Sequence, residues 1–405
     1  MKSNIPELRF PEFKNEPEWE ENSLGKCLLK HPDYGVNAAA VPFSEKLPTY
    51  LRITDISVDG YYLSNEKVSV DIDATSDNYL EDGDIVLART GASVGKSYKY
   101  RKEDGALVFA GFLIRVKPDK KKLNSDLLFH FFSTEKYWNW VNITSARSGQ
   151  PGINGNEYAN LPIPIPSTLA EQQKIADCLS SLNNLITAQS KKVEALKEHK
   201  KGLMQQLFPK DGEKVPKLRF PEFENEPEWE EKIVDDVVNR YDNLRVPVSA
   251  INRIAGKTPY YGANGIQGYV SGYTHDGEFI LIAEDGANDL KNYPIQYVNG
   301  KIWVNNHAHV LQAKKNIAYN RFLKFAISKI NIEPFLVGGG RAKLNANIMM
   351  KLKIKIPKPK EQQRIADFLS SIDELITSSA KKIEALKEHK KGLMQKLFPS
   401  NEVER

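Results

Sequence analysis

The chain has 405 residues, 40% hydrophobic and 27% charged, with a formal net charge of +5. That length exceeds one ordinary core, so two or more domains are expected, and the balance excludes a disordered or fibrous chain. No apolar run approaches the roughly 18 residues of a membrane span, no apolar leader is visible, and Cys27 and Cys178 have neither metal nor redox spacing, so a reduced, cytoplasmic setting without a membrane is expected.

In chain order, a leading motif, LRFPEFKNEPEWEE, occupies residues 8–21 and returns as LRFPEFENEPEWEE at 218–231, differing only in Lys14 against Glu224. The first insert, residues 28–158, reads as short strands and turns, with strand-like runs at 85–88 and 112–116 and an aromatic-rich helix over 125–140. GASVGKS, residues 91–97, imitates a phosphate loop, but Gly91 and Gly95 enclose three residues where that loop needs four, and no acidic strand follows. Nucleotide hydrolysis is therefore rejected. Around this turn Arg89, Thr90, Ser93, Lys96, Lys99 and Arg101 are interleaved with Tyr98 and Tyr100. Such groups meet phosphates or pair with guanine edges, and the plainer alternative is a solvated turn. Arg147 and Gln150, beside the exit from the insert, complete the first set of DNA-contact candidates.

A long helix follows over residues 171–209. Thr168 and Glu171 fit a capping box behind Pro166. Ile175, Leu179, Leu182, Ile186, Val193, Leu196, Leu203 and Leu207 form a heptad seam with gaps at Gln189 and Lys200. A helix of about 40 residues is about 60 Å long. Leu185, Met204 and Phe208 widen the stripe, so helices of a partner are expected to cover them and their counterparts Leu375, Met394 and Phe398. The alternative is that the inserts fold back over these flanks.

The second half repeats the layout with a different insert, whose middle shares no obvious register with the first. It is rich in aromatics and amides. Tyr261, Asn264, Gln267 and Tyr269 are candidates, the amides because Asn and Gln pair bidentately with adenine. Asn306 and His307 join them. His307 and His309 share one face of a strand but lack a third ligand, so no metal is expected. Arg341 and Lys343 are phosphate candidates in a locally basic exit. Residues 361–399 then match 171–209 at 29 of 39 positions. The expected segments are 1–166 and 210–357, each a leading motif plus an insert, the helices 167–209 and 358–399, and a tail 400–405. No nucleophile elbow, zinc-protease pair, dinucleotide fingerprint or methyltransferase motif is found, which favours a binding protein over an enzyme.

Taken together, the two leading motifs, GDIVLARTGASVGK (83–96), YYGANGIQGYV (260–270), VNNHAHVL (304–311) and both EQQ(K/R)IADxLSS helix starts resemble the specificity (S) subunit of type I restriction–modification systems. The resemblance covers nearly the whole chain. It implies an α+β fold: two mixed α/β target recognition domains joined by two long antiparallel helices, as a pseudo-two-fold internal repeat. Each domain would read one half of a bipartite, asymmetric site in double-stranded DNA, with the helices setting the gap. Two modification subunits would dock on the frame and bring S-adenosylmethionine for adenine methylation. Two restriction subunits would add ATP- and magnesium-dependent translocation and cleavage. The chain itself would hold no cofactor and perform no catalysis. A stand-alone DNA-modifying enzyme and a coiled-coil adaptor without DNA specificity remain the alternatives.

Overall fold

The computed structural model describes residues 4–339 and 342–399. Arg341 lies outside the described residues. The chain divides into two compact units, Met1–Gln189 with Lys382–Arg405, and Ser190–Lys381, so the division passes through both long helices. No described helix is long and apolar enough to cross a membrane.

In the first unit the leading motif ends in strand β1 (Glu20–Ser23). The insert supplies β2 (Asp33–Tyr34), β3 (Ala40–Pro42), β4 (Thr49–Leu51), β5 (Val68–Val70), β6 (Ile85–Ala88), β7 (Ser97–Lys99), β8 (Leu107–Phe109) and β9 (Leu113–Val116). Helices α1 (Ser125–Phe131), α2 (Glu135–Thr144) and α3 (Gly155–Ala159) follow, then β10 (Pro162–Ile165) and the long helix α4 (Leu169–Leu207). The insert forms two four-stranded sheets, ordered β2-β9-β6-β7 and β3-β5-β4-β8. Four apolar residues in a row make β6 a central strand because its side chains alternate between two cores. Ile85 and Leu87 face the one built with the helices, Val86 and Ala88 the one built with Tyr98, Leu107 and Phe109. The expected helix over 125–140 is broken in two. Thr134 Oγ1 donates to the Phe131 carbonyl and accepts from the Tyr137 amide, so it ends one turn and caps the next.

The second unit contains β11 (Glu230–Ile233), α5 (Val234–Val237), β12 (Val238–Arg240), β13 (Ala255–Gly262), β14 (Gly265–Val270), β15 (His275–Ala283), β16 (Ile295–Val304) and β17 (Ala308–Ala313). Helix α6 (Asn320–Ser328), α7 (Ala346–Met349), β18 (Lys353–Ile356) and the long helix α8 (Pro359–Leu397) complete it. Its sheet runs β12-β17-β15-β16-β13-β14. The first four strands repeat the order and the antiparallel pairings of β2-β9-β6-β7. The inserts, unlike as sequences, thus share one sheet plan. A strand buried on both faces needs apolar residues of fitting size, not particular ones, and Ile280 and Ile282 against Phe279 and Leu281 reproduce the two-core alternation of β6.

The repeated segments have a physical cause. Glu171 is buried at the start of α4, where Arg9 grips it with Nε on Oε1 and Nη2 on Oε2, both at 2.7 Å, and the Trp19 indole N–H donates to Oε1 at 3.2 Å. Arg219 and Trp229 hold Glu361 identically at the start of α8. The expected capping box is therefore half right. Thr168 Oγ1 accepts the Glu171 amide, but the Glu171 carboxylate goes to the leading motif. The next residue ties down the insert. Gln172 Nε2 donates to the Lys122 and Pro166 carbonyls and its Oε1 accepts the Asn124 amide; Gln362 does the same with Ile317, Pro357 and Tyr319. β1–β10 and β11–β18 pair antiparallel, closing each insert onto its helix.

Within each unit the start of one long helix meets the end of the other, so the pair is antiparallel. Ile175, Ala176 and Leu179 share a core with Met394, Leu397 and Phe398, and Ile365, Ala366 and Leu369 share one with Leu207 and Phe208. This corrects the expectation that Met204, Phe208, Met394 and Phe398 await partner helices. Phe208 lies against Trp229 and Phe322, Phe398 against Trp19 and Phe131, Met394 is buried, and Met204 is half-buried on the same core. The leading motifs and inserts fold over them. Of the six flank residues only Leu185 (41% exposed) and Leu375 (51%) stay open.

Candidate nucleic-acid interface

The shared sheet plan brings a corresponding backbone joint to the end of the central strand in each unit. After β6, the Arg89 carbonyl accepts the Ile153 amide at 2.9 Å, and Thr90 bridges to Gly152. After β15, the Glu284 carbonyl accepts the Leu344 amide at 2.7 Å, and Asp285 bridges to Lys343. In both units the loop leaving the central strand is stitched to the segment that leads out of the insert. Candidates far apart in the sequence are thereby brought together.

In the first unit the turn that carries Arg89, Thr90 and Ser93 comes beside Gln150 through Gly91. Gly91, at φ +72°, lets the chain turn there, and Gln150 Nε2 lies 3.0 Å from where a Cβ on Gly91 would stand. Gln150 and Arg147 are exposed, and Arg147 pairs with Glu157. Lys96 is half-buried. Lys99 and Arg101 are corrections to the candidate list. Lys99 is paired with Asp126 at 2.6 Å, and Arg101 stacks on Tyr61 at 4.2 Å and lies near Phe129. They serve the fold because β7 carries them back along the sheet, away from the turn. Tyr98 is buried with its hydroxyl on Asp104, and burial followed by that carboxylate pushes its phenol far above the usual range.

In the second unit Asn264 stitches two loops, donating from Nδ2 to the Gly286 carbonyl and accepting the Asn288 amide. His307 Nδ1 lies 2.6 Å from Asp285, and Asn306 beside it is exposed. Lys343 reaches Glu284 at 2.8 Å. Gln267 and Tyr269 stand exposed on β14, the outermost strand, whereas Tyr261 is half-buried against a core and thus committed to packing.

Sequence reasoning missed the charge network behind this loop. Asp242, Glu284 and His309 converge closely enough to suggest metal ligands. Their bonding argues otherwise. His309 Nδ1 faces Asp242 at 2.7 Å and Nε2 faces the Leu344 carbonyl at 2.8 Å. Both ring nitrogens are thus already engaged by partners within the fold. Arg245 and Lys343 add positive charge on Glu284. Burial raises the Asp242 and Glu284 carboxyls. Hydrogen bonds from His309 to the first, and from Lys343 and Arg245 to the second, outweigh it and hold both below their usual values. The cluster neutralises itself. No short motif marks it, since β12, β15 and β17 bring its members from distant positions.

Two units of one plan, each gathering polar and cationic groups on a stitched loop pair, describe a duplicated scaffold. The profile described as "Type I restriction modification DNA specificity domain" matches residues 48–198 and 226–388, more than half of the chain, and the chain belongs to that family, as a type I restriction–modification specificity subunit. A putative type I restriction enzyme specificity subunit of Haemophilus influenzae is 44% identical over 151 residues, 37% of this chain and 38% of that one. The putative MjaX specificity subunit of Methanocaldococcus jannaschii is 27% identical over 361 residues, 81% of this chain and 83% of that one. Among solved structures, the type I restriction-modification S subunit from M. genitalium superposes with a TM-score of 0.70 at 17% identity, over 98% of this chain and 99% of that one, a likeness of fold.

Proposed function

We propose that this chain reads a bipartite, asymmetric site in double-stranded DNA and performs no chemistry itself. Segments 1–166 and 210–357 act as the two readers, and the helical segments 167–209 and 358–399 set the gap between half-sites. The observation that carries this reading is the stitched loop pair after β6 and β15, which has one backbone plan and unlike side chains. A duplicated protein reading one sequence twice would keep the side chains as well. Two modification subunits dock on the repeated frame, supplying S-adenosylmethionine for adenine methylation, and two restriction subunits join through them with ATP and magnesium. Leu185 and Leu375, open on the two helices at matching positions, are the two of the six flank residues still available for docking.

The test is to sequence methylated adenines in the host with and without the gene for this chain. A bipartite methylated sequence should vanish on deletion. An unchanged pattern rejects the reading, and methyl transfer by the purified chain alone replaces it with a stand-alone enzyme.

A further inference from the structure

Resting on that reading, we propose that Arg89 reads one guanine in the half-site of the first unit and that Tyr34 is its positioning residue. Arg89 is held in place but unspent. Its amide donates to the Phe112 carbonyl at 3.0 Å and its carbonyl accepts the Ile153 amide, so its backbone is fixed from two sides at the start of the turn. Its guanidinium lies over the Tyr34 ring at 4.8 Å. Tyr34 is fixed in turn, its hydroxyl accepting the Gly155 amide at 2.9 Å. Arg89 Nε is buried with no hydrogen-bond partner, and no carboxylate pairs with the guanidinium among the described residues. Nε, closed off from the surface, cannot itself reach a base, so the two terminal nitrogens are the donors left for a ligand. A planar fork stacked on an aromatic ring, with its donors unused, suits a bidentate acceptor pair, and guanine presents one, O6 and N7, in the major groove. The other cations of this loop are less suited. Lys99 and Arg101 are engaged, Arg147 is paired with Glu157, and Lys96 lacks the fork. The matching position of the second unit is Glu284, already saturated by Arg245 and Lys343, so the two readers differ at one and the same joint.

The experiment introduces Arg89→Ala, Arg89→Lys and Tyr34→Ala at the chromosomal locus and sequences methylated adenines. The parent target should hold a G·C pair in one half-site at which all three variants relax, losing about 5- to 150-fold discrimination there, while the other half-site is unchanged. An unchanged target overturns the proposal. So does methylation lowered at every target without altered preference, as a phosphate contact predicts, or relaxation at an A·T pair. If Arg89→Ala abolishes methylation, Arg89→Lys decides. Relaxation at one G·C pair supports the proposal, and the parent target or total loss refutes it. Failure of the underlying reading is seen separately, as a pattern unaffected by deleting the gene.

Discussion

Glu171→Gln tests the clasp that ties the leading motif to the first long helix. The Glu171 side chain is 1% exposed and Arg9 7%, and the pair is bidentate with a third donor from Trp19. Arg9 also donates to the Glu16 and Pro17 carbonyls, so its charge is held in place and cannot swing into water when the carboxylate is removed. Breaking one side of such a buried pair costs about 3–5 kcal/mol, because the surviving charge stays desolvated. The Arg9 donors lie partly at the surface, which favours the lower figure, roughly 3 kcal/mol. Urea unfolding followed by tryptophan fluorescence is the assay, because Trp19 sits in the clasp and Trp229 in its counterpart. With two units the transition need not be two-state, and that is useful here. The loss should fall on the phase reported by Trp19, while the phase carrying the intact Arg219–Glu361 clasp stays in place. A double-mutant cycle with Arg9→Met should return a coupling of about 2 kcal/mol or more. A cost below about 1 kcal/mol, or coupling near zero, refutes the reasoning and leaves the clasp a contact without consequence.

Other outcomes are equally open to measurement. Inserting four residues into each long helix adds about 6 Å of helix, so the gap between methylated half-sites should widen by about one to two base pairs with both half-sites retained; an unchanged gap rejects the spacer. His130 is buried, and desolvation, then Lys390, pushes its pKa down to about 3. The unfolded chain therefore binds a proton below about pH 6.5 that the folded one refuses. Stability is retained above that pH and falls by about 1.4 kcal/mol per unit on acidification toward pH 3, and urea titrations at pH 6 and 4.5 should show a smaller drop for His130→Gln than for the parent. Lys200 pairs with Asp373, but the matching positions in the other unit are occupied by Lys390 and Asn183. Burial lowers the Lys390 pKa, so Asn183→Asp should raise it and add about 0.5–1 kcal/mol, read from unfolding midpoints; destabilisation would show that the helices do not correspond here.

The repeated segments were legible because they are local. A four-three apolar spacing specifies a helix wherever it occurs, and near-identical copies specify that each half makes the same contacts. The partners of those contacts were not legible. Phe208 and Phe398 look like docking residues on a helical wheel, and only the placement of Trp229 and Trp19 over them reveals that they are core. Glu171 reads as a capping residue until Arg9, 162 positions away, is brought to it. Among the interface candidates, those on the turn after β6 came together as grouped by sequence. Lys99 and Arg101, two and four residues further on than Ser97, were carried off by β7 because a strand moves successive residues along the sheet.

From its amino acids alone the chain could be read as duplicated, helix-framed and α+β, and as resembling a specificity subunit. Those properties are written in short-range periodicity and in self-similarity. The common sheet plan of the two inserts, the joint at the end of each central strand, and the choice between a spent and an unspent cation were decided only in three dimensions. Strand pairing and ion pairing join residues dozens to more than a hundred positions apart, and no local pattern records which ones meet.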